Sequence, residues 1–159
     1  MSFQEIASHI QTLSGAVREA LLALPAAERT ALYPGSGGWT RGELLGHLVD
    51  SAINNQQRFV RALIAGELVF PNYEQMAMVQ VQHYAEADWT WLVEHWWSLN
   101  RHIVMILGSA PPERAAAPCT VGSNSPVTLE YLAQDYVAHM EHHLRQLLPQ
   151  QDLPYSTPG

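Results

Sequence analysis

Apolar side chains recur every three or four residues in four long stretches of the chain, which is the spacing of one helix face. Each stretch begins with a helix-capping residue: Ser2, Thr40, Asp88 and Thr128. The four predicted helices span about residues 2–24, 40–65, 88–107 and 128–148. No stretch shows the alternation typical of a strand. The pattern therefore predicts an all-α fold, an antiparallel-type four-helix bundle with long connections.

The segments between these helices contain most of the prolines and glycines and are predicted as connections, at residues 25–39, 66–87 and 108–127. Short helices are predicted inside the first two, near residues 26–32 and 72–83. We expect one domain over residues 1–148. The tail at residues 149–159 is predicted as non-helical, and either disordered or draped over a neighbour.

The last predicted helix has two histidines one turn apart near its core-facing side. His143 lies within the arc of apolar residues and His139 at its edge. Two imidazoles at this spacing can bind one metal ion, although histidines so close together can also be mere surface residues of a helix. The polar side of the helix carries His142 and, further round, Asp135, Glu141 and Arg145.

The second predicted helix has a line of polar residues beside its apolar face: His47, Ser51, Asn54 or Asn55, and Arg58. They recur at helical spacing, so they share one edge of the helix. The edge is either a solvated flank or the lining of a wet pocket in the bundle. In the second case His47 is the best third metal ligand, because it heads this line. Two reserve ligands, His95 and His102, lie one heptad apart at the edge of the core face of the third helix.

Composition and charge limit the kinds of partner that the protein can have. Charged residues make up only 14 %, and four tryptophans cluster between residues 89 and 97, which together favour a homodimer. The net charge of −7 argues against nucleic acid as a partner. No apolar run is long enough to span a membrane, and no signal peptide is visible. A single cysteine, Cys119, fits a reducing cytoplasm.

Several well-defined catalytic motifs are absent. The chain has no His-Glu-x-x-His, no Glu-x-x-His, no Cys-x-x-Cys and no Gly-x-Ser-x-Gly. What remains is an imidazole site of His47, His139 and His143. Three neutral imidazoles would hold one divalent ion and leave a position open, which is typical of catalytic sites. Such ligands suit zinc, nickel, iron and copper alike.

Two segments carry a family resemblance. Residues 37–59, with the pattern Trp-x-x-x-Glu-x-x-x-His, and residues 135–147, with His-x-x-His-His, resemble the DinB/YfiT-like metalloenzymes. The segment Asn-Tyr-Glu-Gln at residues 72–75 and the tryptophan-rich third helix resemble the YfiT-type branch. The resemblance implies a four-helix bundle, commonly dimeric. It also maps the family's metal-binding histidines onto His47, His139 and His143.

The resemblance implies a function as well. Members of the family include S-transferases that use bacillithiol, mycothiol or related low-molecular-weight thiols. We therefore expect a metal-dependent S-transferase or hydrolase, with zinc or nickel as the ion and a small molecule as substrate. Ser51, Asn55 and Arg58 are predicted to line its substrate pocket, with Arg58 holding an anionic group. No general base is evident, so a non-catalytic metal-binding or scaffold protein related to stress is the alternative.

Overall fold

The computed structural model describes residues 1–33 and 35–156. Pro34 of the first predicted connection and residues 157–159 of the predicted tail lie outside the described residues. The described part contains six α-helices: α1 (Phe3–Leu22), α2 (Ala26–Arg29), α3 (Arg41–Ala65), α4 (Gln75–Val81), α5 (Trp89–Gly108) and α6 (Leu129–Leu147). Short 3-10 helices lie at Tyr84–Glu86 and Pro112–Arg114. The four long helices confirm the predicted all-α bundle.

The predicted caps set the helix ends. Ser2 with Glu5 and Thr40 with Glu43 each form a capping box. In each box the hydroxyl accepts a hydrogen bond from a backbone N–H of the first turn, and the carboxylate accepts one from the backbone N–H of the capping residue. Asp88 and Thr128 cap α5 and α6 in the same way with their side-chain oxygens. Gly66 ends α3 with a φ of 79°, a conformation that glycine adopts without strain.

The four long helices form a closed ring. Helix α1 packs against α5 and α6, and α3 packs against the same two helices from the opposite corner. Their interior is apolar and includes Trp96, Phe3, Phe59 and Ile103 as some of the largest fully buried side chains. The ring places α3 beside α6, which are the two helices that carry the predicted metal ligands. None of the described helices is long and apolar enough to cross a membrane.

A small sheet lies within the connections and was not predicted. Strands β1 (Leu68–Phe70), β2 (Pro118–Val121) and β3 (Val127–Thr128) pair in that order, β1 parallel and β3 antiparallel to β2. Strands of two to four residues are too short to show an alternating pattern. The prediction that residues 108–127 form only a connection is therefore wrong in part. The sheet lies beside α3 and α6, and Cys119 of β2 lines a cleft together with residues of both helices.

The tail folds back over its own chain. Leu153 and Tyr155 pack against the core, and Tyr155 stacks under the guanidinium of Arg145 at 4.1 Å. Ser156 donates hydrogen bonds from its N–H and its Oγ to Glu141 Oε1, at 2.7 and 2.8 Å. The described tail residues are non-helical, as predicted, but the expectation that they are disordered or draped over a neighbour is wrong, because they pack on the bundle of their own chain.

Candidate metal centre and cleft

The three predicted ligands meet between α3 and α6. His47 Nε2 lies 3.1 Å from His139 Nε2. The ring centroid of His143 is 4.9 Å from that of His47 and 4.6 Å from that of His139. One nitrogen from each ring lies within 4.8 Å of the others, and these three residues form a metal-sized group of histidine, cysteine or carboxylate side chains within the described part of the chain.

The outer ring nitrogens are used differently. His143 Nδ1–H donates to Gln146 Oε1 at 2.7 Å, and His139 Nδ1 lies 3.4 Å from Ser51 Oγ. Such contacts fix a metal-binding imidazole so that its other nitrogen faces the ion. The Nε2 atoms of His139 and His143 therefore remain free to face a metal ion at the centre of the cluster. His47 Nδ1 is buried and has no hydrogen-bond partner.

The electrostatics of the cluster favour neutral rings. Burial lowers the pKa of His47 to about 4 and that of His139 to about 3, with a smaller contribution from the neighbouring imidazoles. Burial also lowers the pKa of His143. All three rings are therefore neutral at pH 7 and keep the lone pairs that a metal ion requires.

These residues fit a divalent ion. Two nitrogen ligands at about 2.0–2.1 Å from a tetrahedral ion are about 3.3 Å apart, close to the 3.1 Å between His47 Nε2 and His139 Nε2. A protein that used the pair only as a hydrogen bond would not need a third, partly buried imidazole against both rings. The donor chemistry and the spacing therefore suit a divalent transition-metal ion.

The other histidines remain outside this cluster. His142 is exposed, as its position on the polar side predicted, and its ring centroid lies 5.0 Å from that of His143. His95 stacks on exposed Trp91 with 5.1 Å between the ring centroids, and His102 is exposed. Neither reserve ligand lies in the described metal-sized group.

A cleft of about 450 Å³ opens beside the cluster, and His139 lines it. The predicted pocket residues Ser51, Asn55 and Arg58 form its α3 wall. The opposite wall is formed by α6, and the connections and the small sheet supply Tyr73 and Cys119, among others. The imidazole cluster is thus accessible from a cavity large enough for a small molecule.

Arg58 is a buried cation in this cleft and forms no ion pair with a described residue. It is 8 % exposed, and its Nε has no hydrogen-bond partner. Its Nη1 makes one long hydrogen bond of 3.4 Å to Asn55 Oδ1. The guanidinium lies 5.6 Å from the Phe70 ring and 6.0 Å from the Tyr73 ring. Burial lowers the pKa of Arg58, but a guanidinium remains protonated at any physiological pH.

Cys119 reaches the cleft although it is distant in sequence from every predicted ligand. Its Sγ is buried and donates to Ala117 O at 3.5 Å. Burial raises the pKa of the Cys119 thiol, so the reactive thiolate is scarce at neutral pH. Cys119 is therefore a poor candidate for a nucleophile.

Two carboxylates on α6 depart from the sequence interpretation. Asp135, assigned to the polar side, is exposed but lines the cleft one turn before His139. Glu141, assigned to the same side, is 0 % exposed and accepts a hydrogen bond from His9 Nε2 at 2.7 Å. That assignment of Glu141 was wrong because α1 and the tail cover a flank of α6 that a projection of one helix shows as free.

The cleft residues Asn72 and Tyr73 were not predicted as site residues. Both belong to the segment at residues 72–75 that carried part of the family resemblance. That resemblance was the one feature of the sequence that could have marked them as site residues. Their positions depend on how the connection folds over α3, which helical spacing does not encode.

Comparison with known proteins identifies the family and the fold. The model of the DinB superfamily matches residues 9–147. No curated protein matches the chain. The solved structure of YfiT from Bacillus subtilis, described as a probable metal-dependent hydrolase with an unusual four-helix bundle topology, superposes with a TM-score of 0.83. That alignment is 19 % identical and covers 92 % of this chain and 84 % of YfiT. The chain belongs to the DinB superfamily.

Proposed function

We propose that this protein is a metal-dependent enzyme in which His47, His139 and His143 hold one divalent ion, zinc or nickel. The supporting observation is that three neutral imidazoles converge at a cleft that also contains the unpaired cation of Arg58. Three protein ligands leave a position for a reactant, whereas structural zinc sites close all four. His139 belongs to both the cluster and the cleft wall, so a molecule in the cleft can reach the ion.

The reaction is the transfer of a low-molecular-weight thiol to an electrophile. A divalent ion with neutral ligands supplies Lewis acidity that favours a thiolate over a thiol at neutral pH. The thiolate sulfur forms a bond to an electrophilic carbon, the leaving group departs with the electron pair of the broken bond, and the thiol proton goes to solvent. Ser51 and Asn55 supply hydrogen-bonding groups along the cleft.

The thiol comes from a second small molecule. Cys119 is buried, and the pKa of its thiol is raised, so it is a poor source of thiolate. Arg58 instead has unused capacity to bind an anion, because it is desolvated and has no carboxylate partner among the described residues. Low-molecular-weight thiols such as glutathione and cysteine carry carboxylates that fit this cation.

Hydrolysis is the second candidate function. The structure of YfiT, which shares this fold, is described as that of a probable metal-dependent hydrolase. A tris-imidazole ion lowers the pKa of water as well as that of a thiol. In this reaction water replaces the thiol as the nucleophile, while Arg58 holds an anionic ester or amide substrate.

The decisive experiment is an activity screen of metal-loaded protein. Bacillithiol, mycothiol, glutathione and cysteine are each offered with monochlorobimane, where a C–S bond replaces the C–Cl bond and chloride is released. Esters and amides are screened in parallel. We expect His47→Ala to abolish turnover and Cys119→Ser to leave it within about twofold.

The outcomes separate the candidates. Hydrolysis without thiol transfer would favour the hydrolase. No turnover by fully loaded protein would favour the alternative, a non-catalytic metal-binding or scaffold protein. For the transferase, Arg58→Ala should raise KM more than it lowers kcat, because the guanidinium binds a part of the substrate that does not react.

We expect a homodimer in the cytoplasm without a nucleic-acid partner. The low charged fraction supports the dimer, as do large exposed apolar side chains such as Trp91 and Met105 on α5. Light scattering at micromolar concentrations should give about twice 17.7 kDa. A mass of one subunit at every concentration would contradict the dimer.

A further inference from the structure

The cleft carries one charge of each sign, and neither side chain forms an ion pair with another described residue. Arg58 on α3 and Asp135 on α6 both line it. Within the described residues neither side chain takes part in an ion pair, and Asp135 makes no side-chain hydrogen bond. Asp135 acts on Arg58 through space, since its charge favours the protonated guanidinium, yet their N and O atoms stay more than 4.0 Å apart. Two opposite charges that face one cavity without closing on each other leave room for a ligand between them.

The two charges lie on the same side of the imidazole cluster. Asp135 is one turn before His139, about 6 Å along α6, and α6 packs beside α3. Arg58 follows His47 by eleven residues, about 16 Å along α3. Its guanidinium leans back toward the cluster, because Nη1 reaches Asn55. A ligand held by both charges therefore lies in the same cleft as His139, the histidine that the cleft shares with the cluster.

The geometry points to recognition of an α-amino acid head group, with Arg58 receiving the carboxylate and Asp135 the ammonium group. A buried guanidinium without a counter-ion is costly, and a bound carboxylate relieves that cost with two parallel hydrogen bonds. A cleft that bound only an anion would gain nothing from a carboxylate in its other wall, since like charges repel. Asn55 and Asn72, both in the lining, offer amide groups to the remaining donors and acceptors.

This inference rests on the proposed function only in naming the substrate class of the same cleft. It predicts that the thiol or the electrophile carries a free α-amino acid group, as cysteine and the γ-glutamyl end of glutathione do. Binding of that group requires neither turnover nor a thiol, so it can be tested apart from the reaction.

The experiment measures binding of S-methyl-L-cysteine to metal-loaded protein by calorimetry or by ligand-observed NMR. Two matched probes each lack one charge: 3-(methylthio)propionate has no ammonium group, and 2-(methylthio)ethylamine has no carboxylate. We expect S-methyl-L-cysteine to bind at least about tenfold more tightly than either probe. Equal affinity for S-methyl-L-cysteine and 3-(methylthio)propionate would overturn the proposal and leave a simple anion site.

Variants assign each charge to its group. Asp135→Asn should weaken the binding of S-methyl-L-cysteine about tenfold or more and leave the binding of 3-(methylthio)propionate unchanged. Arg58→Met should weaken both of these ligands, and Arg58→Lys should weaken them less. Arg61→Met is the control for Arg58, because Arg61 also lies over Phe70, at 5.8 Å, but is exposed and outside the cleft lining. Glu130→Gln on α6 is the charge-matched control for Asp135.

The possible failures are distinguishable. Asp135 is exposed, so Asp135→Asn keeps the fold, and unchanged binding of S-methyl-L-cysteine in this variant would refute its role. Absence of any S-methyl-L-cysteine binding would overturn the amino-acid proposal, whereas thiol transfer by the same preparation would show that the proposed function still holds. A preparation that binds S-methyl-L-cysteine but catalyses nothing would support the amino-acid site and contradict the proposed function.

Discussion

Helices α1 and α3 occupy opposite corners of the bundle and bury different kinds of side chain. Of the eight buried residues of α1, Ser14 is the one polar residue. Helix α3 buries six polar residues: Arg41, His47, Asp50, Ser51, Asn55 and Arg58. Both helices pack against α5 and α6, so the difference does not come from their position in the ring.

The two helices also differ in how well their polar atoms are satisfied. Five buried side-chain nitrogen and oxygen atoms of the described residues have no hydrogen-bond partner, and three of them belong to α3: His47 Nδ1, Asp50 Oδ2 and Arg58 Nε. None belongs to α1. Unsatisfied buried groups cost stability and concentrate where a protein binds something else. We infer that α1 with α5 supplies the stability of the bundle and that α3 with α6 supplies its chemistry.

The largest expected effect is on metal binding. The affinity for a divalent ion should fall by at least about a thousandfold in each of the variants His47→Ala, His139→Ala and His143→Ala, because each variant lacks one of three ligands. Metal content after dialysis, measured by mass spectrometry, should fall from about one equivalent to near zero. His142→Ala is the control and should keep its metal. Equal loss in the His142 variant would contradict the ligand set and with it the contrast between α3 and α1.

The next effect is on stability. Leu13 of α1 is fully buried. Leu13→Ala should lower the free energy of unfolding by about 2–5 kcal/mol, the usual cost of a buried Leu→Ala cavity. The folded fraction should still bind one metal ion, because no ligand is touched. Chemical denaturation and metal content of the same samples test this. Loss of metal from folded Leu13→Ala protein would mean that the two halves of the bundle are coupled.

The three histidines that meet between α3 and α6 and the four long helices were both predicted from sequence, because helical spacing and the family motifs mark them. Caps such as Thr40 and the spacing of His139 and His143 are read within one helix, and the family motifs supplied His47 independently. Features that depend on a neighbouring segment were not accessible. Glu141 is buried because α1 and the tail cover it, and Asp135 lines the cleft because connections fold over α3.

The third effect is a pH dependence of the metal-free protein. The pKa of His47 is about 4 when folded and 6.5 at its ordinary value, so between these pH values the unfolded chain binds more protons. The stability that depends on neutral His47 is therefore fully present above pH 6.5 and is lost as the pH falls toward 4. Between pH 6.5 and 4.5 the wild type should lose about 2 kcal/mol more than His47→Gln, which lacks this titrating group.

Urea unfolding in the presence of a chelator, repeated at several pH values, measures this difference. Carboxylates shared by both proteins cancel in the comparison. Parallel curves for the wild type and His47→Gln would show that the buried imidazole is not held neutral by the fold. A chain with its α1 core weakened by Leu13→Ala should instead keep the wild-type slope.

The smallest effect concerns Asp50, which lies one turn after His47. Its Oδ1 accepts hydrogen bonds from Tyr84 OH at 2.7 Å and Gln82 Nε2 at 2.8 Å, while Oδ2 is buried without a partner. Burial raises the pKa of Asp50, so its contribution to stability is present at low pH and is lost as the pH rises through the folded pKa. At pH 7 the carboxylate therefore costs stability.

Asp50→Asn should raise the free energy of unfolding of the metal-free protein by about 1 kcal/mol at pH 7, because the amide keeps the acceptor and removes the buried charge. Below the ordinary pKa of 3.8 the gain should vanish. Tyr84→Phe is the contrasting variant and should destabilise by about 1 kcal/mol at pH 7, since it removes a hydrogen-bond donor and leaves the charge. Denaturation curves of the wild type and both variants at pH 7, and of the wild type and Asp50→Asn at pH 3.5, measure these three differences. A loss of stability in Asp50→Asn at pH 7 would mean that Oδ2 has a stabilising partner in solution. The gain expected here would instead show that the buried charge of Asp50 lowers the stability of the bundle at neutral pH.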